Sequence, residues 1–265
     1  LGGRCGSRAY TVTPDASVYW HDEVDSTNEQ AKRLAQSGDY GPRWIAAHKQ
    51  SAGRGRLGRS WVSPTGNLYV TALFVEPSGI SSATRYPFAA GLAIIDACKV
   101  FLPAVRAELK WPNDVRVDGA KLCGILVEAG SIRPANSAWV AVGMGINIQS
   151  SPENAGQSAT NLCALGANPA VDAQSFLQAL IATFERRARQ ARENFSSLLK
   201  DWEQAAEGLG KMVSVGKDPD KIHGRFKELA SDGALVLELA DGTSHTVRAG
   251  DVELIREISD DAARN

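Results

Sequence analysis

The sequence predicts an α+β fold: a mixed, mostly antiparallel sheet backed by helices, followed by a small β-barrel. Three observations carry this. The run Asn67 to Val75 has β-formers on both faces, as a central strand buried on two sides requires. Several short strand-like runs, two of them joined by the hairpin dipeptide Asp118-Gly119, lie between two long helical patterns. After a change of composition at Glu207-Gly-Leu-Gly210, about five strand-like runs follow in quick succession, with turns at Asp232-Gly233 and Asp241-Gly242, which suggests a closed or nearly closed barrel.

Taken in order, the elements have these reasons. Residues 1–15 open Gly/Arg-rich and read as a flexible tail. Val18 to Val24 reads as a strand. Ser26 with Glu29 three residues on forms a capping box, so a helix starts there and ends near Gly38. Trp44 to Ala47 is a short buried strand. Pro87 to Leu102 is apolar at helical spacing (Phe88, Leu92, Ile95, Val100), with its proline in the first turn, where proline is tolerated. The strands Ala107–Lys110, Val115–Val117, Lys121–Val127 and Ala138–Ile148 follow. Ala173 to Arg192 is a long amphipathic helix with Phe176, Leu180 and Phe184 inward, and its terminal arginines suit the helix dipole. Leu198 to Ala206 continues as helix. The last five runs are Met212–Val215, His223–Leu229, Leu235–Leu239, His245–Val247 and Val252–Ile255. The domains are thus the tail, residues 16–207, and a small module at 208–265.

Composition narrows the function. A length of 265 residues with 43% apolar residues supplies one large core plus a module. A formal net charge of -1 gives no global pull toward nucleic acid or a membrane, so basic chemistry here is local. The four cysteines are scattered without paired spacing, which argues against zinc and a disulfide framework and favours a reducing, cytoplasmic setting. No apolar run approaches the length of a membrane span.

The local basic chemistry lies in His48 to Trp61, where Gly53, Gly55 and Gly58 alternate with Arg54, Arg56 and Arg59 and Trp61 closes the run. Glycines let backbone approach a ligand, arginines suit phosphates and carboxylates, and an aromatic face suits a base. A solvated basic loop is the competing reading. The three glycines also match G-x-G-x-x-G, but that dinucleotide motif needs a helix starting inside it, and Pro64 with the following strand forbids one. Four further clusters carry unusual residues. Asp25-Ser-Thr-Asn28 reads as a helix cap or a hydrogen-bonding nook for a small polar ring. Lys110-Trp-Pro-Asn113-Asp114 reads as a turn or a holder for metal-bound phosphate. Lys121 reads as an edge lysine, yet Gly124 inside the same strand points to a close backbone approach. Gly143-Met-Gly-Ile-Asn147 interrupts a buried strand in the same way.

In their order, Ser-Thr-Asn at 26–28, Gln50, Gly-Arg-Gly-Arg-Leu-Gly-Arg-Ser-Trp at 53–61, Lys-Trp-Pro-Asn-Asp at 110–114, Lys-Leu-Cys-Gly-Ile-Leu-Val-Glu at 121–128 and Gly-Met-Gly-Ile-Asn at 143–147 resemble the biotin–protein ligase family over roughly residues 18–258. The resemblance implies a catalytic domain like that of class II aminoacyl-tRNA synthetases and an SH3-like C-terminal barrel. It implies two steps in one site: biotin and ATP give biotinyl-adenylate and pyrophosphate, and a lysine of a biotin carboxyl carrier domain then takes the biotin. By position, Lys121, Arg56 and Asp114 would be catalytic. Ser26, Thr27, Asn28, Gln50, Gly53, Arg54, Lys121 and Gly124 would bind biotin. Arg54, Arg56, Arg59, Trp61, Asn113 and Asn147 would bind ATP or the adenylate, with Mg²⁺ arriving on the phosphates and no tightly bound prosthetic group. Fewer than 20 residues precede the first catalytic strand, so the chain is expected to be the single-function form, without DNA binding or membrane attachment, as a monomer or weak homodimer. A lipoate–protein ligase and a non-catalytic nucleic-acid binder are the rival readings. The arginine loop and Lys-Trp-Pro-Asn-Asp favour biotin, and the near-neutral charge disfavours nucleic acid.

Overall fold

The structure, a computed structural model, describes residues 17–133, 136–152, 157–216, 220–248, 250 and 252–254. The expected tail at 1–15 and the end of the last expected strand, Ile255, lie outside the described residues. Seven strands form the main sheet: β1 (Val18–His21), β2 (Arg43–Ala47), β3 (Leu68–Glu76), β4 (Ala107–Lys110), β5 (Asp114–Val117), β6 (Ala120–Ile132) and β7 (Ser137–Ile146). Their order is β1-β2-β3-β7-β6-β5-β4, and only β1 and β2 pair parallel. The β5–β6 turn is the expected Asp118-Gly119, and positive φ at both residues (49° and 76°) makes it the tight type whose twist matches a hairpin.

The strand parity of β3 sorts the two faces. Leu68, Val70, Ala72 and Phe74 belong to the large core, with helices α2 (Tyr86–Phe101), α3 (Ala173–Glu193) and α4 (Phe195–Gln204). Phe184 of α3 meets Trp44 and Phe74 ring to ring. Leu73 faces the other way, where Ala31 and Ala35 of helix α1 (Thr27–Gln36) pack on Ile45, Leu73 and Ala141. This second cluster is small. It leaves the β5, β6 and β7 part of that face open, and there the site forms.

Several expectations need correction. β1 ends at His21, and Val24 makes only an isolated bridge to Gln50. The Ser26 capping box does not form: Ser26 is the N-cap without a side-chain cap bond, its N–H donates to Asp25 Oδ1 at 2.7 Å, and the Glu29 side chain turns to Arg54 instead. Val100 is 65% exposed, and the inward stripe of α2 ends instead on Phe101, which stacks on Phe176. α3 does not run into α4; Asn194 breaks the chain, and its side-chain oxygen caps α4 by accepting from the Ser197 N–H.

The module after residue 210 contains β8 (Met212–Val215), β9 (Ile222–Leu229), β10 (Leu235–Glu238), β11 (Ser244–Val247) and β12 (Val252–Leu254), all antiparallel in the order β11-β10-β9-β8-β12. Among the described residues it does not close into a barrel. β12 pairs with β8, so β11 and β12 end at opposite edges of the described sheet. The module is tied to the main sheet, where Trp111 Nε1 donates to the Gly233 carbonyl at 3.0 Å; just before the module begins, Arg116 pairs with Glu207 at 3.2 Å. Phe226, Leu235 and Leu237 continue the same core.

Candidate active site

A cleft of about 1020 Å³ lies over the open part of the sheet, between the 48–63 loop, α1 and the rim of the C-terminal module. Its floor follows from register. Gly145 of β7 stands beside Tyr69 of β3 and Gly124 of β6, and Asp114 of β5 stands beside Gly124. One row lower, Gly143 stands between Thr71 and Leu126. The glycines flagged in the sequence therefore form one patch across two adjacent strands, β6 and β7. A Cβ on Gly145 would stand 2.6 Å from the Trp61 indole nitrogen, and one on Gly124 would stand 2.9 Å from the same ring. A Cβ on Gly143 would strike the Asn28 amide at 2.1 Å. The close approach these glycines serve is thus made by the chain's own Trp61 and Asn28.

The arginine loop is a folded flap. Gly55 and Arg59 bond through their backbones at 2.7 Å, Arg54 bridges to Ser60, and the Trp61 N–H donates to the Gly53 carbonyl at 2.9 Å. Gly53 sits at the root, where a Cβ would lie 2.4 Å from the Trp61 carbonyl; it does not line the cleft. Arg54 is anchored on Glu29 of α1. Arg56 donates to the Asn113 side-chain oxygen at 3.1 Å, and Arg59 Nε donates to the Arg56 carbonyl. Trp61 lies on the glycine floor, and its buried indole N–H has no hydrogen-bond partner among the described residues.

Lys121, half-hidden at 14% side-chain exposure, is no solvated edge lysine. Its Nζ is 2.8 Å from Asp114 Oδ1 and 5.3 Å from the Trp61 ring centre. Such an ammonium, partly desolvated and neutralised by one carboxylate, can take a ligand anion by exchanging that carboxylate for it. Asn147 is buried and donates to the Thr160 carbonyl at 3.0 Å, so one end of its amide is engaged by backbone. Asn113 likewise donates to the Ile125 carbonyl at 2.7 Å.

The nook at the start of α1 contains Ser26, Thr27 and Asn28, all buried. Gln50 Oε1 accepts from the Thr27 N–H at 2.9 Å, and Gln50 Nε2 donates to Ser63 Oγ at 2.9 Å. Asn28 donates to Glu128 Oε2 at 3.0 Å and to the Leu126 carbonyl at 3.2 Å. Its carbonyl oxygen meets the Thr71 hydroxyl at 2.7 Å. Burial holds the Tyr69 phenol neutral, with its pKa pushed up to about 12. Every other predicted site residue lines this one cleft: Ser26, Thr27, Asn28, Gln50, Arg54, Arg56, Arg59, Trp61, Asn113, Asp114, Lys121, Gly124 and Asn147. Sequence reasoning missed Thr71 and Ser63, and the pairing of Arg54 with Glu29 and of Asn28 with Glu128, because nothing local marks a threonine in an apolar strand or a contact between distant segments. Among the described residues no group of three or more His, Cys, Asp or Glu stands together, while Asn113 and Asp114 offer oxygens at the cleft wall. Those oxygens fit a Mg²⁺ that comes with nucleotide phosphates.

Comparison with known proteins follows the same geometry. Residues 20–147 match the Biotin/lipoate A/B protein ligase family, and residues 208–255 match the Biotin protein ligase C terminal domain. A biotin–[acetyl-CoA-carboxylase] ligase of Paracoccus denitrificans is 36% identical over 81% of this chain and 91% of its own length. A protein of the same name from Mycobacterium tuberculosis is 31% identical over 88% of this chain and 87% of its own. A solved biotin protein ligase from Aquifex aeolicus, in complex with biotin and ATP, superposes with a TM-score of 0.75 at 27% identity, covering 91% of this chain and 99% of that one.

Proposed function

The chain belongs to the Biotin/lipoate A/B protein ligase family, and we propose that it is an ATP-dependent biotin–[acetyl-CoA-carboxylase] ligase. It activates biotin as biotinyl-5′-AMP and passes the biotin to one lysine of a biotin carboxyl carrier domain. The match of the C-terminal module favours biotin over lipoate, since that module's family is named for biotin protein ligases.

The observation that carries the reading is the convergence of Lys121, Arg54, Arg56 and Trp61 on one cleft. In the first step a carboxylate oxygen of biotin attacks the α-phosphorus of ATP, and the bond to pyrophosphate breaks. Two anions must meet, so cations have to stand between them. Lys121 bridges the carboxylate and the α-phosphate once it exchanges Asp114 for them. Arg56 and Arg59 hold phosphates, and Arg54 holds the flap on α1 through Glu29. Trp61 excludes water above the glycine floor and offers its face to the base. Ser26, Thr27, Asn28 and Gln50 form the nook for the ureido ring, Gly53 leaves room for the Gln50 and Ser63 side chains behind it, Gly124 shapes its approach, and Asn113 and Asn147 place the nucleotide. Mg²⁺ supplies charge neutralisation on the phosphates. In the second step the carrier amine attacks the acyl carbon and AMP leaves, with Asp114, freed from Lys121, orienting that amine. A closed flap keeps the mixed anhydride from water until then.

Residues 16–207 act as the catalytic domain and 208–265 as the SH3-like module. The partners are biotin, ATP and the carrier domain, in a cytoplasmic monomer or weak homodimer. Incubation of the protein with ATP, Mg²⁺ and biotin should release pyrophosphate and leave biotinyl-5′-AMP. Adding a biotin carboxyl carrier domain should then yield a biotinylated lysine. Pyrophosphate release with lipoate and none with biotin would move the assignment to the lipoate branch.

A further inference from the structure

We infer that Glu128, Asn28 and Thr71 form a positioning relay that fixes the hydrogen-bond polarity of the ring-binding nook, so that Thr27 presents an acceptor and selects ligands with a ring N–H. This rests on the assignment of that nook to biotin.

Donors and acceptors along this line of contacts fix the direction of each bond. Glu128 as a carboxylate can only accept, and so can the Leu126 carbonyl. Both lie within reach of one end of the Asn28 amide, at 3.0 and 3.2 Å, so that end is the NH₂. The other end is therefore the carbonyl oxygen, 2.7 Å from Thr71 Oγ1. Thr71 is fully buried and has one hydroxyl proton. Its oxygen also lies 2.9 Å from Thr27 Oγ1. Were that proton given to Thr27, the Asn28 oxygen and Thr71 would face each other as two buried acceptors, which is costly. Thr71 therefore donates to Asn28 and accepts from Thr27.

Thr27 has then spent its own proton inward. Its second neighbour, Gln50 Oε1, is 3.3 Å away and is already served by the Thr27 backbone N–H. What Thr27 Oγ1 offers the cleft is a lone pair. Gln50 is fixed in the same sense, because its NH₂ donates to Ser63, whose oxygen lies 2.9 Å from the Trp61 carbonyl. The polarity of Thr27 thus originates at the Glu128 carboxylate and reaches it through Asn28 and Thr71. Gly143 is part of the device, since any Cβ there would push Asn28 off Glu128 and Thr71.

The test uses biotin and its two mono-N-methyl ureido derivatives as probes, with calorimetric affinity and pyrophosphate-exchange kinetics as readouts. The wild-type chain should prefer biotin over one of the methylated forms by at least about a hundredfold. Thr71→Val should raise the KM for biotin roughly tenfold or more, change kcat much less, and shrink the preference to within about tenfold. Thr71→Ser, which keeps the hydroxyl, should restore both. Glu128→Leu should act as Thr71→Val does and covers the case in which that variant fails to fold. A Thr71→Val or Glu128→Leu protein that folds and keeps the full preference would overturn the relay. Absence of biotin-dependent exchange in the wild type would instead sink the functional assignment itself.

Discussion

Gly145 shows how much one residue can say and how much it leaves out. A glycine in a buried strand weakens it unless something needs the space, so Gly124, Gly143 and Gly145 were legible as marks of close approach. What approaches was not legible, because Trp61 and Asn28 arrive from distant segments. The same holds for Lys121, whose sequence neighbourhood reads as an edge and whose partners, Asp114 and Trp61, make it a half-buried cation. At this scale the account predicts that Gly145→Val lifts Trp61 off the floor. Stability should fall by no more than about 1 kcal/mol, because the displaced ring sits on a surface flap. Biotin-dependent pyrophosphate exchange should fall by roughly 10²-fold, since small misplacements in a preorganised site are expensive. Full activity in a folded Gly145→Val protein would show that the ring's seat is unimportant.

At the scale of elements, α1 and the flap depend on each other. The helix was visible from its pattern, but its expected capping box was not formed: the Ser26 N–H donates to Asp25, and Glu29 turns to Arg54, 25 residues along the chain. Local rules cannot see such a distant partner. α1 is also pinned at its start by Asp25, whose bidentate bond with Arg33, at 2.7 and 2.8 Å, lowers its pKa from 3.8 to about 2. Because the folded value is the lower one, this stabilisation is present above about pH 4 and is lost as the pH falls toward 2. Both side chains are nearly half exposed, so the pair is worth only about 0.2–1 kcal/mol. Thermal melts should show Asp25→Asn destabilised by that amount between pH 5 and pH 8 and equal to wild type near pH 2. A constant difference across the range would contradict the linkage. For the flap, Arg56→Gly removes the tie to Asn113. It should still form biotinyl-5′-AMP but release it early, read as free adenylate in rapid filtration. Adenylate retained as long as in wild type would mean that the tie does not close the flap.

At the scale of the molecule, strand positions and the order of elements were largely legible, because periodicity and turn residues are local. Closure of the C-terminal sheet was not, since it depends on which edges meet, and β12 meets β8. The docking of that module was also hidden. It turns on Gly233, which has φ of 84°, receives a bond from Trp111 and lies so close to Phe88 that a Cβ would stand 2.6 Å from the ring. Gly233→Ala adds a left-handed alanine, about 1–2 kcal/mol, to a ring displacement of about 1–3 kcal/mol. Its urea midpoint should drop accordingly, with one transition if module and sheet unfold together. An unchanged midpoint would mean that the two parts do not share a core.

Beneath all three scales lies one electrostatic claim: a single sheet lysine under a cationic flap brings a carboxylate and an α-phosphate together. The most direct measurement is biotin-dependent exchange of labelled pyrophosphate into ATP by the intact protein and by Lys121→Met. Wild type should catalyse the exchange, and Lys121→Met, assayed below its own melting temperature and folded, should lose roughly 10²–10³ of the rate. Exchange at the wild-type rate in Lys121→Met would contradict the account.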